Sequence, residues 1–326
     1  MSEINNKPLV SIIVGYYNRE NMVDESIKSL INQTYNNIEI VVFDDCSTDC
    51  TYSKLKEYCS DSRLKLIRHT VNKGFVQGVI EAINISSGEY IALHGSGDIS
   101  YPKRIEKQVE FLQQHNDIGV VGCYFRNVEG NDTSVVRKPN EKNFRSFIMT
   151  RTPFSHGEVM YRRDIYNQAG GYRNFFKYAQ DRDLWCRFSR LTNYFVIEDV
   201  LYDRINNDPN AVNKNIAKKI KQIIYSDLAV QSMDMRDKFG YDKVDLFSKE
   251  ALAFRKRTLT VSDRIAFLGI EDIVYGNGDN KDLVYEALKE EVLSFKRLIF
   301  ILLYRNILNK NIIRKLVRIK KSLTKR

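Results

Sequence analysis

The feature that most constrains the fold of this chain is a series of strand-like segments that alternate with segments of helical period. Strand candidates lie at residues 9–14, 38–43, 64–68, 89–93 and 120–125, and most are short apolar runs with β-branched members. Their length is typical of buried strands, and the segments between them carry apolar residues on one helical face. This alternation predicts an α/β fold with a mostly parallel sheet and helices on both faces.

Polar residues collect where three of these strand candidates end, at residues 16–20, 44–49 and 95–98. The carboxyl ends of parallel strands meet at one edge of a sheet, and ligands bind along that edge. Each cluster alone also fits a helix cap, because Asp, Ser and Thr are common at helix N-termini. All three clusters together, in this order, favour a ligand site.

Basic residues concentrate at the C-terminal end of the chain. Residues 296–326 contain eleven Lys or Arg and no Asp or Glu, whereas the rest of the chain holds 40 basic and 41 acidic residues. The formal net charge of +10 therefore belongs to this tail, which argues against a general nucleic-acid-binding surface. The apolar run at 298–304 is far shorter than the ~20 residues that span a bilayer.

The last part of the tail is amphipathic as a helix. One face carries basic residues and another carries apolar ones: Lys310, Arg314, Arg318, Lys321 and Lys325 against Ile312, Ile313, Leu316 and Val317. This pattern predicts a helix that lies on an anionic membrane surface, with ~1 kcal/mol for each basic residue near that surface. The alternative is a solvated basic helix that packs on its own domain or on a partner chain.

The sequence pattern changes near residue 212, and we predict three parts. Residues 1–212 form the α/β domain, 213–295 form a helical extension, and 296–326 form the basic tail. The five cysteines are odd in number and lack the close spacing of a metal or redox motif. Residues 1–7 lack the apolar core of a signal peptide. We therefore expect a cytoplasmic protein, peripheral on the inner face of a membrane through its tail.

The chain resembles the family 2 glycosyltransferases, which have the GT-A fold, over about residues 8 to 205. The resemblance is carried by several motifs in the family's order, at residues 10–14, 17–20, 44–49, 72–74, 88–92, 98–104, 170–172 and 180–185. It implies a GT-A-type, Rossmann-like sheet in which residues 8–125 bind a nucleotide-sugar donor. Residues 126–212 would then supply the acceptor side and the catalytic base.

The resemblance also implies which residues bind the nucleotide-sugar: Tyr17, Asn18, Asp44, Asp45, Gly95, Ser96, Gly97, Asp98 and Lys103. Asp45, with Asp44 nearby, would accept hydrogen bonds from the base or ribose, because a carboxylate pairs well with an imide N–H. Tyr17 would pack on the base or close the rim of the site. Core packing is the alternative role for Tyr17.

The family's acidic motif after the fourth strand is incomplete here. Gly95 and Gly97 stand where the family places acidic residues, and Asp98 alone remains. Three interpretations stay open at this stage. Asp98 could hold Mn²⁺ or Mg²⁺ with phosphate oxygens and waters, the glycine-rich turn and a basic side chain such as Lys103 or Arg204 could bind the phosphates, or catalysis could have been lost. We interpret His94 as a cap or rim histidine.

The resemblance places the general base of an inverting transfer at Asp181, which follows Gln180 at the start of a helix. Such a base takes the acceptor hydroxyl proton and is typically worth ~10²–10⁴-fold in rate. Asp183 is interpreted as a helix-start charge. On the acceptor side we expect Gly171 and Tyr172 as a flexible turn and Trp185 as an aromatic surface for sugars.

The predicted function is therefore an inverting transfer of a sugar from a nucleotide-diphosphate sugar to a hydroxyl of a glycan or lipid-linked acceptor. It would serve polysaccharide, lipopolysaccharide or glycoprotein glycan synthesis. The alternative is a catalytically weak or inactive relative that binds a nucleotide-sugar or acts as a scaffold. A dinucleotide oxidoreductase is disfavoured, because no Gly-any-Gly-any-any-Gly turn follows the first strand.

Overall fold

The structure, a computed structural model, describes residues 7–206 and 215–315. The chain divides into two compact units, Met1–Asp208 and Pro209–Arg326. The predicted boundary between residues 212 and 213 lies outside the described residues. So do residues 316–326, the last third of the predicted basic tail.

The first half of unit one confirms the predicted βα alternation. Three helices, α1 to α3, connect four parallel strands in the spatial order β3-β2-β1-β4. The elements are β1 (Val10–Tyr16), α1 (Val23–Ile31), β2 (Ile38–Asp44), α2 (Thr51–Glu57), β3 (Leu64–Arg68), α3 (Phe75–Ile85) and β4 (Tyr90–His94). Every residue of β1, β2 and β4 is buried, as expected for strands covered on both faces.

The second half of unit one extends the same sheet with both parallel and antiparallel strands. Its elements are β5 (Ile99–Ser100), α4 (Arg104–Gln114), β6 (Ile118–Glu129), β7 (Asp132–Val136), α5 (Phe144–Thr150), β8 (Met160–Arg162), α6 (Arg163–Gln168), α7 (Gln180–Phe188) and β9 (Asn193–Ile205). The sheet order is β3-β2-β1-β4-β8-β6-β9-β5, with β7 paired to β6. Strand β8 is antiparallel to both neighbours, while β6 and β9 are parallel.

Helices cover both faces of the sheet because strand side chains alternate. Residues 10, 12, 14 and 16 of β1 join α1, α2 and α4 in one buried core. On the other face, α3 packs so closely that a Cβ on Gly78 would lie 2.2 Å from the ring of Phe43. The GT-A-type α/β architecture and the helical C-terminal region predicted from the sequence are both confirmed.

Unit two is helical in the residues that the structure describes. It contains α8 (Ile216–Phe239), α9 (Lys243–Phe247), α10 (Leu259–Tyr275), α11 (Lys281–Lys289) and α12 (Phe295–Tyr304). Ile220 and Ile223 pack in its core, as their helical spacing predicts, together with Phe300 and Leu303. The first part of the predicted basic tail therefore belongs to this core. Within residues 7–206 and 215–315, no helix is both long and apolar enough to cross a membrane.

Candidate functional site

The loops that follow β1 and β2 are joined by direct hydrogen bonds. The Asn18 backbone N–H donates to Ser47 Oγ at 2.9 Å, and Thr48 N–H donates to Asn18 Oδ1 at 2.8 Å. Asn18 adopts a positive φ of 50°, a conformation that asparagine tolerates better than most residues. Beside them, the Tyr17 side chain is 48% exposed, so core packing is not its role. The two strand ends thus form one rim.

Asp44 and Asp45 lie at the end of β2, and both are buried. Asp45 Oδ1 interacts with His69 Nδ1 at 2.8 Å and accepts from Lys73 N–H at 2.8 Å, while its Oδ2 accepts from Gly74 N–H at 2.9 Å. A carboxylate has about four acceptor positions, so one position of Asp45 remains for a ligand. Asp44 Oδ1 has no partner among the described residues.

The turn from Gly95 to Asp98 follows β4 and is closed by a bond from Asp98 N–H to the Gly95 carbonyl at 3.0 Å. Both oxygens of the buried Asp98 carboxylate accept internal hydrogen bonds, from the Tyr202 hydroxyl at 2.5 Å and from Ile205 N–H at 2.8 Å. The Tyr202 hydroxyl in turn accepts from Gly95 N–H at 2.9 Å. Burial raises the pKa of Asp98, although these donors and nearby guanidinium charges oppose that shift. Asp98 therefore ties the turn to β9.

Glycine is required at both positions of this turn where the family usually carries an acid. A Cβ on Gly95 would lie 2.2 Å from Asp98 Oδ2 and 3.2 Å from the Tyr202 hydroxyl. Gly97 has a φ of +89°, and a Cβ there would lie 2.7 Å from Met22 Sδ. The turn has no room for a side chain at either position, and Ser96 supplies its remaining side chain.

Arg104 is fully buried and stabilises the chain on either side of the turn. Its guanidinium donates to Ser100 Oγ at 3.0 Å and to the Leu93 carbonyl at 2.7 Å, and it stacks over the Tyr202 ring at 5.0 Å. Burial and the charge of Arg104 lower the pKa of His94 to about 3. His94 is therefore neutral at physiological pH and bonded to its neighbours inside the protein. It is neither a rim residue nor a helix cap, which corrects the sequence-based interpretation.

The segment at His156 lies beside the residues that bind Asp45 and beside the turn that carries Asp98. The His156 ring lies edge-on against Phe75, 5.8 Å away, and Phe75 follows the Gly74 whose N–H binds Asp45. A Cβ on the adjacent Gly157 would lie 3.3 Å from Asp98 Oδ2. His156 also has a φ of +97°, a strained conformation for a non-glycine residue that typically costs ~1–3 kcal/mol and is common at functional sites.

Asp181 lies in the first turn of α7 and is partly exposed. Its charge raises the pKa of His156 against the larger, opposite effect of burial. His156 Nε2 also contacts the Tyr172 hydroxyl at 2.7 Å. His156 therefore lies between the residues around Asp45 and the segment before α7, and a cleft shared by Asp181, Asp45 and Asp98 stays a prediction.

The predicted acceptor-side residues are mostly buried. Trp185 is completely buried against Phe154, and Tyr172 and Gly171 are buried against Tyr166. The structure thus corrects the expectation that Trp185 offers its face to a sugar and that residues 171 and 172 form a flexible turn. These residues pack inside the protein and stabilise the segment that carries Asp181.

Two other sequence-based interpretations change in the structure. Asp183 is buried between the guanidinium groups of Arg173 and Arg187, and these ion pairs lower its pKa despite burial. It is thus a structural ion pair, more than the exposed helix-start charge expected. Lys103 is exposed just before α4, and its neighbour Arg104 instead binds the Leu93 carbonyl and Ser100 Oγ on either side of the turn.

The residues around Asp98 do not fit a divalent-cation site. Hard cations take several oxygen ligands, usually with more than one carboxylate. Here Asp98 is the carboxylate of the turn, both of its oxygens already accept internal hydrogen bonds, and positions 95 and 97 have no room for another. Among the described residues there is no group of three or more His, Cys, Asp or Glu side chains that could hold a metal ion.

Three residues that the sequence did not single out, or left aside, are central to this site. Tyr202 and Arg104 hold the turn, and His156 connects the two sides. The sequence signal for Arg104 was the position of a basic residue beside Ile105, on the face of α4 that is buried. His156 could have been suggested by its place before a predicted strand at the sheet edge. Tyr202 gave no usable signal, because it reaches Asp98 across 104 positions of sequence.

Comparison with known proteins gives a consistent result. The sequence model of the family "Glycosyl transferase family 2" matches residues 11–171. The chain is 35% identical over 189 residues, 57% of this chain and 68% of the relative, to EpsE of Bacillus subtilis (strain 168), which is named as a glycosyltransferase. It is 39% identical over 116 residues, 36% of this chain and 46% of the relative, to the Escherichia coli protein "UDP-Glc:alpha-D-GlcNAc-diphosphoundecaprenol beta-1,3-glucosyltransferase WfgD".

A solved structure with a similar fold is the mannosyltransferase PcManGT from Pyrobaculum calidifontis, which was determined in complex with GDP-Man and Mn²⁺. The TM-score is 0.55 at 16% sequence identity, and the match covers 87% of this chain and 86% of that chain. At this level of identity the likeness supports the fold alone.

Proposed function

This chain belongs to the family 2 glycosyltransferases, and on that premise we propose that it transfers a sugar, with inversion, from a nucleotide-diphosphate sugar to a hydroxyl group of a glycan or lipid-linked acceptor. The single observation that supports this most is the position of His156, which packs on Phe75 beside the residues that bind Asp45 and contacts Tyr172 on the segment before α7 and Asp181. A donor and an acceptor must meet within one cleft for the transfer to occur.

In this proposal the rim formed by Tyr17, Asn18 and Asp45 receives the base and ribose. The exposed Tyr17 ring covers one face of the base, and the remaining acceptor position of Asp45 pairs with an imide N–H of a pyrimidine. Asp44, which is fully buried, holds the loop through Ser47 N–H at 3.2 Å. It acts indirectly on the ligand.

Asp181 is the proposed general base. It is the partly exposed carboxylate at the start of α7, whereas Asp183 two residues later is paired inside the protein. Asp181 would accept the proton of the acceptor hydroxyl as that oxygen attacks the anomeric carbon. No step of the proposed reaction is routed through a cation, because the residues around Asp98 do not fit a Mn²⁺ or Mg²⁺ site.

The proposed acceptor is part of a polysaccharide, lipopolysaccharide or glycoprotein glycan. The name of WfgD specifies an acceptor linked to diphosphoundecaprenol, which supports a lipid-linked acceptor for this chain as well. The reaction would then take place at the cytoplasmic face of a membrane, without a need for nucleic acid.

A surface of unit two supports attachment to an anionic membrane. Phe295 is 77% exposed and Leu293 is 67% exposed, and both lie beside Lys296 and Arg297 at the start of α12. Exposed apolar side chains next to basic ones are typical of interfacial binding. Because Phe300 and Leu303 of α12 are buried in the core, deletion of 296–326 would damage the fold, and the usable variants are Phe295→Ser and a deletion of 316–326.

The proposed function is tested by donor turnover. Wild type, Asp181→Asn and, as a matched control, Asp164→Asn are incubated with UDP-, GDP- and dTDP-sugars and candidate acceptors; Asp164 is an exposed first-turn aspartate of α6. We expect Asp181→Asn to lower kcat ~10²–10⁴-fold with little change in KM, and Asp164→Asn to leave both unchanged. Full activity of Asp181→Asn would refute the base. Donor binding without turnover by wild type would favour the inactive-relative alternative.

Membrane attachment has its own test. Pelleting with vesicles that contain anionic lipid should decrease for Phe295→Ser and for the 316–326 deletion, and it should decrease for wild type as salt rises. Equal pelleting of all three proteins would remove this part of the proposal.

A further inference from the structure

The departing nucleoside diphosphate carries negative charge that a transferase must stabilise. The turn at 95–98 carries one carboxylate, Asp98, and both of its oxygens already accept hydrogen bonds within the protein. We propose that two arginines, Arg19 and Arg204, bind the diphosphate directly and take the charge-stabilising role in place of a divalent cation. This inference rests on the proposed transfer from a nucleotide-diphosphate sugar.

Arg19 reaches the turn from the loop that follows β1. Its Nη1 donates to the Ser96 carbonyl at 3.0 Å and approaches Met22 Sδ at 3.6 Å, the atom that closes off position 97. Its backbone N–H donates to Thr51 Oγ1 at 2.8 Å, which fixes the base of the side chain. The guanidinium is therefore held against the turn, beside the rim where the nucleoside is proposed to bind.

Arg204 reaches the same turn from the end of β9. The next residue, Ile205, donates its N–H to Asp98, so the backbone of Arg204 is tied to the turn. Arg204 Nη1 donates to Ser155 Oγ at 3.0 Å, and its guanidinium stacks on Phe125 at 5.3 Å. Arg204 Nε is buried and has no acceptor among the described residues. An anion in the cleft would give this guanidinium the charge-assisted partner that it lacks.

Both guanidinium groups act electrostatically on Asp98, since each lowers the pKa of that carboxyl. Two arginines supply two positive charges, the same as one divalent cation, and each offers a planar set of donors that matches phosphate oxygens. A third cation, Lys138, has a pKa that burial lowers, and the opposing charges of Glu158 and Arg204 both act on it.

In the transfer itself, the acceptor oxygen forms a bond to the anomeric carbon and its proton passes to Asp181. The bond from the anomeric carbon to the diphosphate oxygen breaks, its electron pair stays on that oxygen, and Arg19 and Arg204 stabilise the resulting charge.

Calorimetric binding of inorganic pyrophosphate and of UDP, in buffer that contains EDTA, tests the inference on the full chain. We expect wild type to bind both ligands. Arg19→Gln and Arg204→Gln should each weaken binding at least 10-fold, while the Lys variants at the same positions should lose less because they keep the charge. Arg63→Gln is the matched control, since Arg63 precedes β3 at the opposite edge of the sheet and pairs with Asp61.

Several results would overturn the inference: pyrophosphate binding that appears only after Mn²⁺ or Mg²⁺ is added, or equal affinities of the Gln variants and wild type. Turnover that EDTA abolishes and Mn²⁺ restores would also overturn it. Its failure is distinguishable from failure of the proposed function. A chain that binds pyrophosphate through the two arginines but transfers no sugar would refute the function and keep the site, whereas a cation-dependent transferase would do the reverse.

Discussion

Replacing Tyr202 by Phe tests the turn most directly, because it removes one oxygen atom that makes two buried hydrogen bonds. The hydroxyl donates to Asp98 Oδ2 at 2.5 Å and accepts from Gly95 N–H at 2.9 Å. A hydrogen bond to a charged group contributes ~1.5–3 kcal/mol and a neutral one ~0.5–1.5 kcal/mol. We therefore expect Tyr202→Phe to lower the free energy of unfolding of unit one by about 2–4 kcal/mol.

The assay uses urea unfolding followed by tryptophan fluorescence. The chain has one tryptophan, Trp185, which is buried in unit one, so the signal reports on the unit that contains Tyr202. For a unit of about 200 residues the loss corresponds to a decrease in Tm of roughly 5–15 °C. Tyr52→Phe is the control, because Tyr52 is partly exposed and packs on Arg68 through its ring.

The reasoning is refuted if Tyr202→Phe unfolds within ~0.5 kcal/mol of wild type, the range expected of an ordinary surface substitution. It is also refuted if Tyr52→Phe is equally destabilised. The pH dependence gives a second check. The Tyr202 hydroxyl lowers the pKa of Asp98, so its removal should raise that pKa further. The loss of unfolding free energy in Tyr202→Phe should therefore become smaller as the pH falls below the pKa of Asp98.

Three further predictions concern stability of the same unit. His94 takes up a proton below pH 6.5 in the unfolded state but only near pH 3 in the folded state. As the pH falls from 6.5 to 3, the free energy of unfolding should therefore decrease by up to ~1.4 kcal/mol per pH unit. In urea melts at successive pH values, His94→Gln should make this pH dependence flatter. Gly78→Ala should cost ~1–3 kcal/mol by overpacking against Phe43, although Asn84→Ala on the exposed face of the same helix should be neutral or stabilising; an equal effect would contradict the packing argument. Asp183→Asn should cost ~3–5 kcal/mol, since it removes a buried carboxylate charge that pairs with Arg173 and Arg187, and thermal melts close to wild type would contradict that role.

The first four strands could be predicted from sequence because local patterns determine them. The runs at 9–14 and 38–43 are apolar except for Ser11 and Glu39, and the structure has strands at Val10–Tyr16 and Ile38–Asp44. Asp45 and Asp98 were recognised as special because they follow such strands. In both cases a short stretch of chain contains the whole signal.

The partners of those residues could not be predicted, because they come from distant segments. Asp98 is engaged by Tyr202 and Ile205, and nothing near Asp98 in sequence indicates that both of its oxygens are used. Trp185 was expected at the surface because an aromatic residue beside a catalytic carboxylate fits a sugar site. In the structure it is completely buried against Phe154, and every residue of α7 from 183 to 188 is buried. Burial depends on the tertiary packing of α7, which the local pattern did not reveal.

The bonds between the loops after β1 and β2 have an entropic consequence. Asn18, Ser47 and Thr48 already hold each other in place before any nucleotide arrives, so the free rim does not have to be ordered on association. Ordering a mobile side chain costs ~0.5–1.5 kcal/mol, and a rim that avoids this cost keeps more of its contact energy as affinity. For the proposed binding of a nucleoside at this rim, we therefore expect only a small unfavourable entropy.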